Sequence, residues 1–167
     1  LVGAHIPTQY GGQELDTILN TIIGEEIGRG DASFCTTFAA NTGIGMLPIL
    51  YYGTEEQKQK YLPDLSSGKL KASYCLTEPS SGSDALGAKT KAILNAEGTH
   101  YILNGQKMWI SNAGFADVFI VFAQVDGDKF TGFIVDKGTA GMVLGEEEHK
   151  LGIKGSSTRQ IFFENAP

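Results

Sequence analysis

The stretch "GKLKASYCLTEPSSGSD", residues 68–84, marks a change in the period of the sequence. Before it, apolar residues recur at helical intervals, whereas residues 72–77 alternate in the way that is typical of a strand. The strand then leads into small and polar residues, 77–84, which form a longer segment than a simple surface turn requires. The sequence therefore predicts a helical part, a strand-rich part and a ligand bound against the loop that follows the first strand.

A first helix is predicted after Asp16. Its apolar residues form one stripe, made of Leu15, Ile18, Leu19, Ile22, Ile23 and Ile27. Asp16 is the expected N-cap, and Gly28 and Gly30 are expected to end the helix. A second helix is predicted at residues 33–41. Since it is apolar on most sides, we expect it to be buried.

Two prolines bear on the remaining helices. Pro48 is expected to interrupt residues 45–52, and Pro63 to break or kink the helix that contains it. That helix begins at "TEEQ", where Thr54 and Gln57 have the arrangement of a capping box. Its expected inward-facing residues are Tyr61, Leu62 and Leu65.

The rest of the chain carries strand patterns. Strands are predicted at residues 72–77, 89–94, 99–103, 106–110, 118–125, 130–135, 142–145 and 160–163. Gly98 marks a short turn, and the dipeptide Asn104-Gly105 predicts a second hairpin, because both residues tolerate a positive φ. Helices followed by strands indicate an α+β protein, with a boundary near residues 68–71 and the strands in an antiparallel β-sandwich or barrel.

Composition excludes several classes of partner. The chain has 167 residues and a formal charge of −6, and its 13 basic residues form no run, which argues against nucleic acid. No apolar stretch is long enough to predict a membrane span. The cysteines, Cys35 and Cys75, and the histidines, His5, His100 and His149, lack metal-site spacing, so we expect no metal and two buried, reduced thiols.

The segment "TEPSSGSD" can carry chemistry. A glycine flanked by serines after a strand exposes N–H groups and hydroxyls that can hold phosphate or a polar ring edge. Thr77 can offer both an amide and a hydroxyl, whereas Glu78 and Asp84 repel phosphate and are expected to cap backbone amides or to fix the turn. The alternative is a long turn without a ligand.

The segment "KMWISNAG", residues 107–114, contains the only tryptophan, Trp109, with Ser111 two residues later on the same face of a strand. An indole beside a hydroxyl suits a planar aromatic ligand, and the alternative is a core tryptophan beside a surface serine. A third segment, "GIKGSSTRQ" at residues 152–160, can contact phosphate through Lys154 and Arg159 or form a solvated turn. The acidic runs at residues 25–26 and 146–148 are interpreted as surface.

These segments together resemble the acyl-CoA dehydrogenase family. The resemblance lies in "CLTEPSSGSDALG" (75–87), "LNGQKMWISNAG" (103–114), "IPTQYGG" (6–12), "GTEEQKQKYLPDLSSGK" (53–69) and "KLGIKGSSTRQIFFENAP" (150–167). It covers nearly the whole chain in order. It implies that residues 1–70 are part of an N-terminal helical domain, that residues 71–167 are a middle β domain, and that the family's C-terminal helical bundle is absent from this sequence.

The resemblance implies FAD as cofactor and α,β-dehydrogenation of acyl-CoA to trans-2-enoyl-CoA. The alternative is an acyl-CoA oxidase or flavin-dependent monooxygenase of the same fold. The family's catalytic glutamate lies in the C-terminal domain, so no catalytic residue is expected here, and the fragment alone is expected to be inactive. Residues implied to line FAD are Tyr74, Cys75, Leu76, Thr77, Gly82, Ser83, Trp109, Ile110 and Ser111.

Within that set, the resemblance implies that Thr77 hydrogen-bonds the pyrimidine edge of the flavin and that Trp109 packs against the isoalloxazine ring. It also implies that Ser111, which is a threonine in many relatives, hydrogen-bonds the ring atom N5. The acyl-CoA is implied to contact Ser83, Thr36, Thr37 and Ala40. Small residues in the segment 36–44 favour medium or long acyl chains. Further implications are an electron-transfer flavoprotein as acceptor, a homotetramer or homodimer, and an intracellular location, cytoplasmic in bacteria or the mitochondrial matrix in eukaryotes.

Overall fold

The computed structural model describes residues 1–127 and 129–167. Four helices come first: α1 Thr17–Gly30, α2 Ala32–Ala39, α3 Leu47–Tyr52 and α4 Glu55–Ser67. Seven strands follow: β1 Ala72–Cys75, β2 Lys91–Leu94, β3 Tyr101–Ser111, β4 Val118–Val125, β5 Lys129–Asp136, β6 Met142–Glu147 and β7 Thr158–Ala166. Since the helices precede the strands without alternation, the predicted α+β class is confirmed.

The helix boundaries follow from local capping. Asp16 accepts a hydrogen bond from Leu19 N at 2.9 Å and so begins α1. The predicted capping box of α4 forms, with Gln57 N donating to Thr54 Oγ1 and Thr54 N donating to Gln57 Oε1. Gly68 ends α4 in the left-handed conformation, with a φ of 79°.

Two helix predictions are wrong in part. α4 continues through Pro63 to Ser67, so this proline does not break it. Burial was predicted for residues 33–41, but within this range only Ala40 and Asn41 are buried, and no residue of α2 is. α2 packs against α1 and against the π-helical segment Ala40–Gly45 that continues it, and its other side, including Phe34, is open within this chain. Pro48 lies in the first turn of α3, where a missing N–H is tolerated.

The seven strands form one open, mixed sheet in which β4 lies next to the edge strand β5. β5 pairs along one edge of β4 in the antiparallel sense, while β1 and β2 pair in parallel with the two halves of the other edge. The order then continues through β3 and β7 to β6, all antiparallel. The prediction of a purely antiparallel sandwich or barrel is therefore wrong at the two parallel pairs, which join segments that are distant in the sequence.

The predicted Asn104-Gly105 hairpin is also wrong. β3 runs without a turn from Tyr101 to Ser111, with a register shift between Leu103 and Gly105. Gly105 has a φ of 153°, and a Cβ there would lie 2.7 Å from the Cα of Thr90. The glycine is therefore required for the close approach of neighbouring strands and does not form a turn.

Both faces of β4 are buried. Val118 and Ile120 of β4 face the helices in a cluster with Ile6, Met46, Ile49, Leu62 and Leu65. Phe119, Val121 and Ala123 face the second cluster, which includes Cys75, Leu103, Ile110, Ile161 and Phe163. The strand period of two thus explains why β4 is an almost continuous apolar run.

Candidate flavin and acyl-CoA site

Trp109 lies at a β-bulge near the end of β3. The register between β3 and β7 shifts between Lys107 and Ile110, and Trp109 takes a φ of 58°. This conformation is rare for a bulky residue and costs on the order of 1 kcal/mol or more. It leaves the indole 55% exposed. An apolar ring held out of the core by the backbone is available to pack against a ligand.

Thr77 is attached to the same bulge. It follows β1, and its carbonyl oxygen accepts a hydrogen bond from Met108 N at 2.9 Å. Since Met108 directly precedes Trp109, this bond ties the segment after the first strand to the bulge that carries the exposed indole. The sequence placed Thr77 and Trp109 at a common site, and the structure brings their backbones together.

Glu78 organises the loop after Thr77 from inside. Its carboxylate accepts hydrogen bonds from Lys89 N at 2.6 Å, from Thr90 N at 3.0 Å and from Lys107 Nζ at 2.7 Å. Burial acts to raise the pKa of Glu78, but these donors outweigh burial and lower the pKa below its usual value. The expectation that Glu78 caps backbone amides is confirmed.

Gly82 and Ser83 lie on the outer side of this loop. Ser81 pairs with Glu78 through the backbone, and its hydroxyl donates to the carbonyl oxygen of Asp84 at 2.6 Å. A Cβ built on Gly82 meets no atom within 4 Å, so the space beside this glycine is open. The inner contacts fix the loop, while its glycine and serine face outward.

Ser111 and two of the predicted substrate residues line one groove. The groove has a volume of about 580 Å³, and its lining includes Ser111, Thr36, Ala40 and Ile153. Ser73 Oγ donates to the carbonyl oxygen of Ser111 at 2.6 Å, which fixes the backbone and leaves the Ser111 hydroxyl uninvolved. Thr37 contributes its carbonyl oxygen to an internal contact, accepting from Asn112 Nδ2 at 3.0 Å.

The structure does not bring every predicted cofactor residue to this surface. Cys75 and Ile110 are buried in the sheet core, and burial raises the pKa of the Cys75 thiol to about 12. The Tyr74 ring packs on Phe122 at a centroid distance of 5.0 Å and lines a different groove on the helix side. Leu76 offers its carbonyl oxygen to Lys107 Nζ at 3.1 Å. Tyr74 and Cys75 are successive residues of β1 and face opposite sides of the sheet, Ile110 faces the core from β3, and Leu76 directly follows β1.

The third segment is held by its own contacts. Glu147 accepts hydrogen bonds from Ser157 Oγ at 2.6 Å, Thr158 N at 2.9 Å and Arg159 Nε at 2.7 Å. Burial acts to raise the pKa of Glu147, and these donors together lower it. Arg159 is therefore engaged in holding a turn, which agrees with the solvated-turn interpretation.

Sequence reasoning missed two residues of the site. They are Lys107, whose side chain is fully buried, and Asn112, which is also fully buried and has a φ of 67°. Lys107 shares its strand face with Leu103 and Gly105, so its spacing carried a signal for burial that its charge obscured. Within residues 1–127 and 129–167, no helix is long and apolar enough to cross a membrane, and no group of three metal-ligating side chains occurs.

Known proteins resemble this chain over almost its whole length. Two family models match, the acyl-CoA dehydrogenase N-terminal domain at residues 1–69 and the acyl-CoA dehydrogenase middle domain at residues 73–166. A probable acyl-CoA dehydrogenase of Bacillus subtilis is 57% identical over 99% of the chain, and the human mitochondrial very long-chain specific acyl-CoA dehydrogenase is 42% identical over 97%.

Among solved structures, an acyl-CoA dehydrogenase from Bacillus anthracis in complex with FAD superimposes with a TM-score of 0.95 at 56% identity, covering 99% of this chain and 28% of that one. The chain likewise spans 28% of the Bacillus subtilis relative and 26% of the human one. Matched over almost its whole length by two consecutive family models, the chain belongs to the acyl-CoA dehydrogenase family.

Proposed function

We propose that this chain supplies the flavin platform and part of the acyl groove of an FAD-dependent acyl-CoA dehydrogenase. The observation that carries the proposal is the exposed Trp109 on its bulge, tied through Met108 N to Thr77. Residues 1–70 would serve as part of the helical domain and residues 71–167 as the middle β domain. The matched family models support this division.

The residues present fit a flavin. An exposed indole can cover a planar ring, and the contacts that hold Thr77 and Ser111 use their backbone oxygens and leave both hydroxyls for a ligand. The open space beside Gly82 admits close approach to the loop's amides and to Ser83. Tyr74, Cys75, Leu76 and Ile110 would act through the shape of the strands and not through side-chain contact.

When bound, FAD would accept a hydride from the β-carbon of the acyl chain. Thr77 would hold the pyrimidine edge, Trp109 would pack against the ring system, and Ser111 would donate to the region around N5. Donors fixed before the reaction stabilise negative charge that develops during it. Thr36, Thr37 and Ala40 would border the acyl chain, and Ser83 the CoA arm.

Among the residues that the structure describes, those that line the groove include no carboxylate. Because the family's catalytic glutamate belongs to its C-terminal domain, we propose that the base that removes the α-proton lies in that domain of the full-length protein. Ala39, Ala40 and Gly43 leave the groove wide on the helix side, which favours medium or long acyl chains. An electron-transfer flavoprotein acceptor, a homotetramer or homodimer and an intracellular location are further proposals that rest on the family alone.

The deciding experiment uses the full-length protein. Its visible spectrum is recorded, and short-, medium- and long-chain acyl-CoAs are added without oxygen. We expect a yellow protein that medium or long chains bleach. Rapid peroxide formation during turnover in air would instead favour an oxidase or monooxygenase. A colourless protein that takes up no added FAD would contradict the proposal.

Ser111→Ala tests the role of the hydroxyl. We expect flavin reduction to slow by about 10- to 1000-fold, because a donor to developing charge is lost. Ser67→Ala is the control, since the Ser67 hydroxyl donates to Asp64 O at the exposed end of α4. Stopped-flow absorbance measures both rates. Equal rates in Ser111→Ala and wild type would remove Ser111 from the proposed site.

A further inference from the structure

Lys107 and Glu78 form an ion pair inside the sheet. Lys107 Nζ lies 2.7 Å from Glu78 Oε1, and the exposed side-chain fractions are 0% and 4%. Burial lowers the pKa of Lys107, against the attraction of Glu78. Replacing a buried pair by well-packed apolar residues is often neutral or stabilising, so such a pair is weak evidence for a stabilising role. A role other than stabilising the fold is therefore needed to explain this ion pair.

The pair joins three stretches of the chain around Thr77. Lys107 Nζ also donates to Leu76 O at 3.1 Å, at the end of β1. The Glu78 carboxylate accepts hydrogen bonds from Lys89 N and Thr90 N, and these two residues directly precede β2. These contacts flank the bond from Met108 N to Thr77 O. Thr77 thus lies between Leu76 and Glu78, which both contact Lys107, and Trp109 lies two residues beyond it.

We propose that Lys107 and Glu78 are positioning residues that fix Thr77 and Trp109 relative to each other and to the flavin. The left-handed backbone of Trp109 persists only where the surrounding structure holds it, and Lys107, two residues before it in β3, is a buried side chain fixed by hydrogen bonds to two other residues. An apolar side chain at position 107 fills space but does not hold the Leu76 carbonyl oxygen. The proposal rests on the flavin function stated above.

The test separates positioning from stability. The variants are Lys107→Met, Glu78→Gln and the double variant, in the full-length protein. Trp109 is the only tryptophan of this chain, and the difference from Trp109→Phe isolates its emission. Emission and its quenching by acrylamide are measured without cofactor. FAD affinity and the absorption spectrum of bound FAD are measured next, and urea unfolding gives stability.

We expect Lys107→Met to lose stability, because it leaves the Glu78 carboxylate buried without its partner. The double variant removes that charge and should recover most of the loss. It should nevertheless keep an altered Trp109 emission, a shifted flavin spectrum and an FAD affinity lowered about tenfold, the scale on which outer partners of a bound group act. Recovery of emission and affinity together with stability would overturn the proposal.

Two further arms keep the test decisive. If Lys107→Met does not fold, the test uses Glu78→Gln, which preserves the shape of the side chain and one acceptor oxygen. Wild-type emission together with wild-type FAD affinity in Glu78→Gln would overturn the proposal. The control pair is Lys60→Met with Asp136→Asn, an exposed bridge of 3.3 Å, and it should change neither readout. If the wild type binds no FAD, the proposed function fails, while the emission still decides whether the pair positions Trp109.

Discussion

At the scale of the residue, the two cysteines show how position sets chemistry. Cys75 is fully buried in the sheet, and burial raises the pKa of its thiol to about 12, although the nearby Lys107 ammonium acts to lower it. Cys35 is half-buried on α2, with its sulfur 3.7 Å from the carbonyl oxygen of Gly24. Only a thiolate reacts readily, so the two residues differ in reactivity.

We expect iodoacetamide at about pH 8 to modify Cys35 in the folded protein and to leave Cys75 unmodified, since thiolate formation at Cys75 requires a far higher pH. Peptide mass mapping after timed labelling measures the two rates. Labelling in denaturant is the control and should make them similar. Equal labelling of both residues in the folded protein would contradict the placement of Cys75.

At the scale of the element, β3 depends on a glycine. Gly105 has a φ of 153°, and a Cβ there would lie 2.5 Å from Thr90 Oγ1 and 2.7 Å from Thr90 Cα. Asn104 contributes its Oδ1 atom, which accepts a hydrogen bond from Asn165 N at 2.9 Å. The Asn-Gly pair therefore lets β3 contact β2 and β7 at the same point.

Gly105→Ala should destabilise the fold by about 2–3 kcal/mol, because the new Cβ would clash with the Thr90 side chain and also with Thr90 Cα, a backbone atom that has little freedom to move. Gly152→Ala is the matched control, since a Cβ at Gly152 meets no atom within 4 Å. Midpoints of urea unfolding give both values. A loss in Gly105→Ala no larger than that in the control would show that β3 and β2 are less close than described.

The helix caps and β3 show what the sequence can and cannot predict. Caps are local, so Asp16 and the Thr54–Gln57 box could be identified from the residues alone. The Asn-Gly signal is local too, but here it is overridden by contacts with Thr90 and Asn165, which are distant in the sequence. Lys107 was missed for a related reason, because its counter-charge, Glu78, lies in another segment.

At the scale of the whole molecule, two asparagines attach the helices to the sheet. Ala72 at the start of β1 donates its N–H to Asn41 Oδ1 at 2.6 Å, and its carbonyl oxygen accepts from Asn112 Nδ2 at 3.2 Å. Asn112 Nδ2 also donates to Thr37 O at 3.0 Å. These bonds set where Thr37 and its helix lie relative to Ser111, and hence the shape of the groove.

Asn112→Asp should destabilise the protein by about 3 kcal/mol, because it replaces a donor to two carbonyl oxygens with a buried carboxylate. Asn20→Asp is the control, since Asn20 Nδ2 also donates to two carbonyl oxygens, those of Leu15 and Asp16, nearer the surface. Thermal unfolding followed by circular dichroism compares them. A similar loss in both variants would mean that Asn112 does not link helices and sheet.

The partners of β1 also bear on how the chain folds during synthesis. Within the described residues, β1 pairs with one strand, β4, which leaves the ribosome only after β2 and β3. Domains fold as they emerge, and an unpaired strand edge favours aggregation while it waits. The helices emerge earlier, and their buried cluster includes Ala72 of β1. The helical part can therefore shield the nascent first strand until the ribosome delivers its partner.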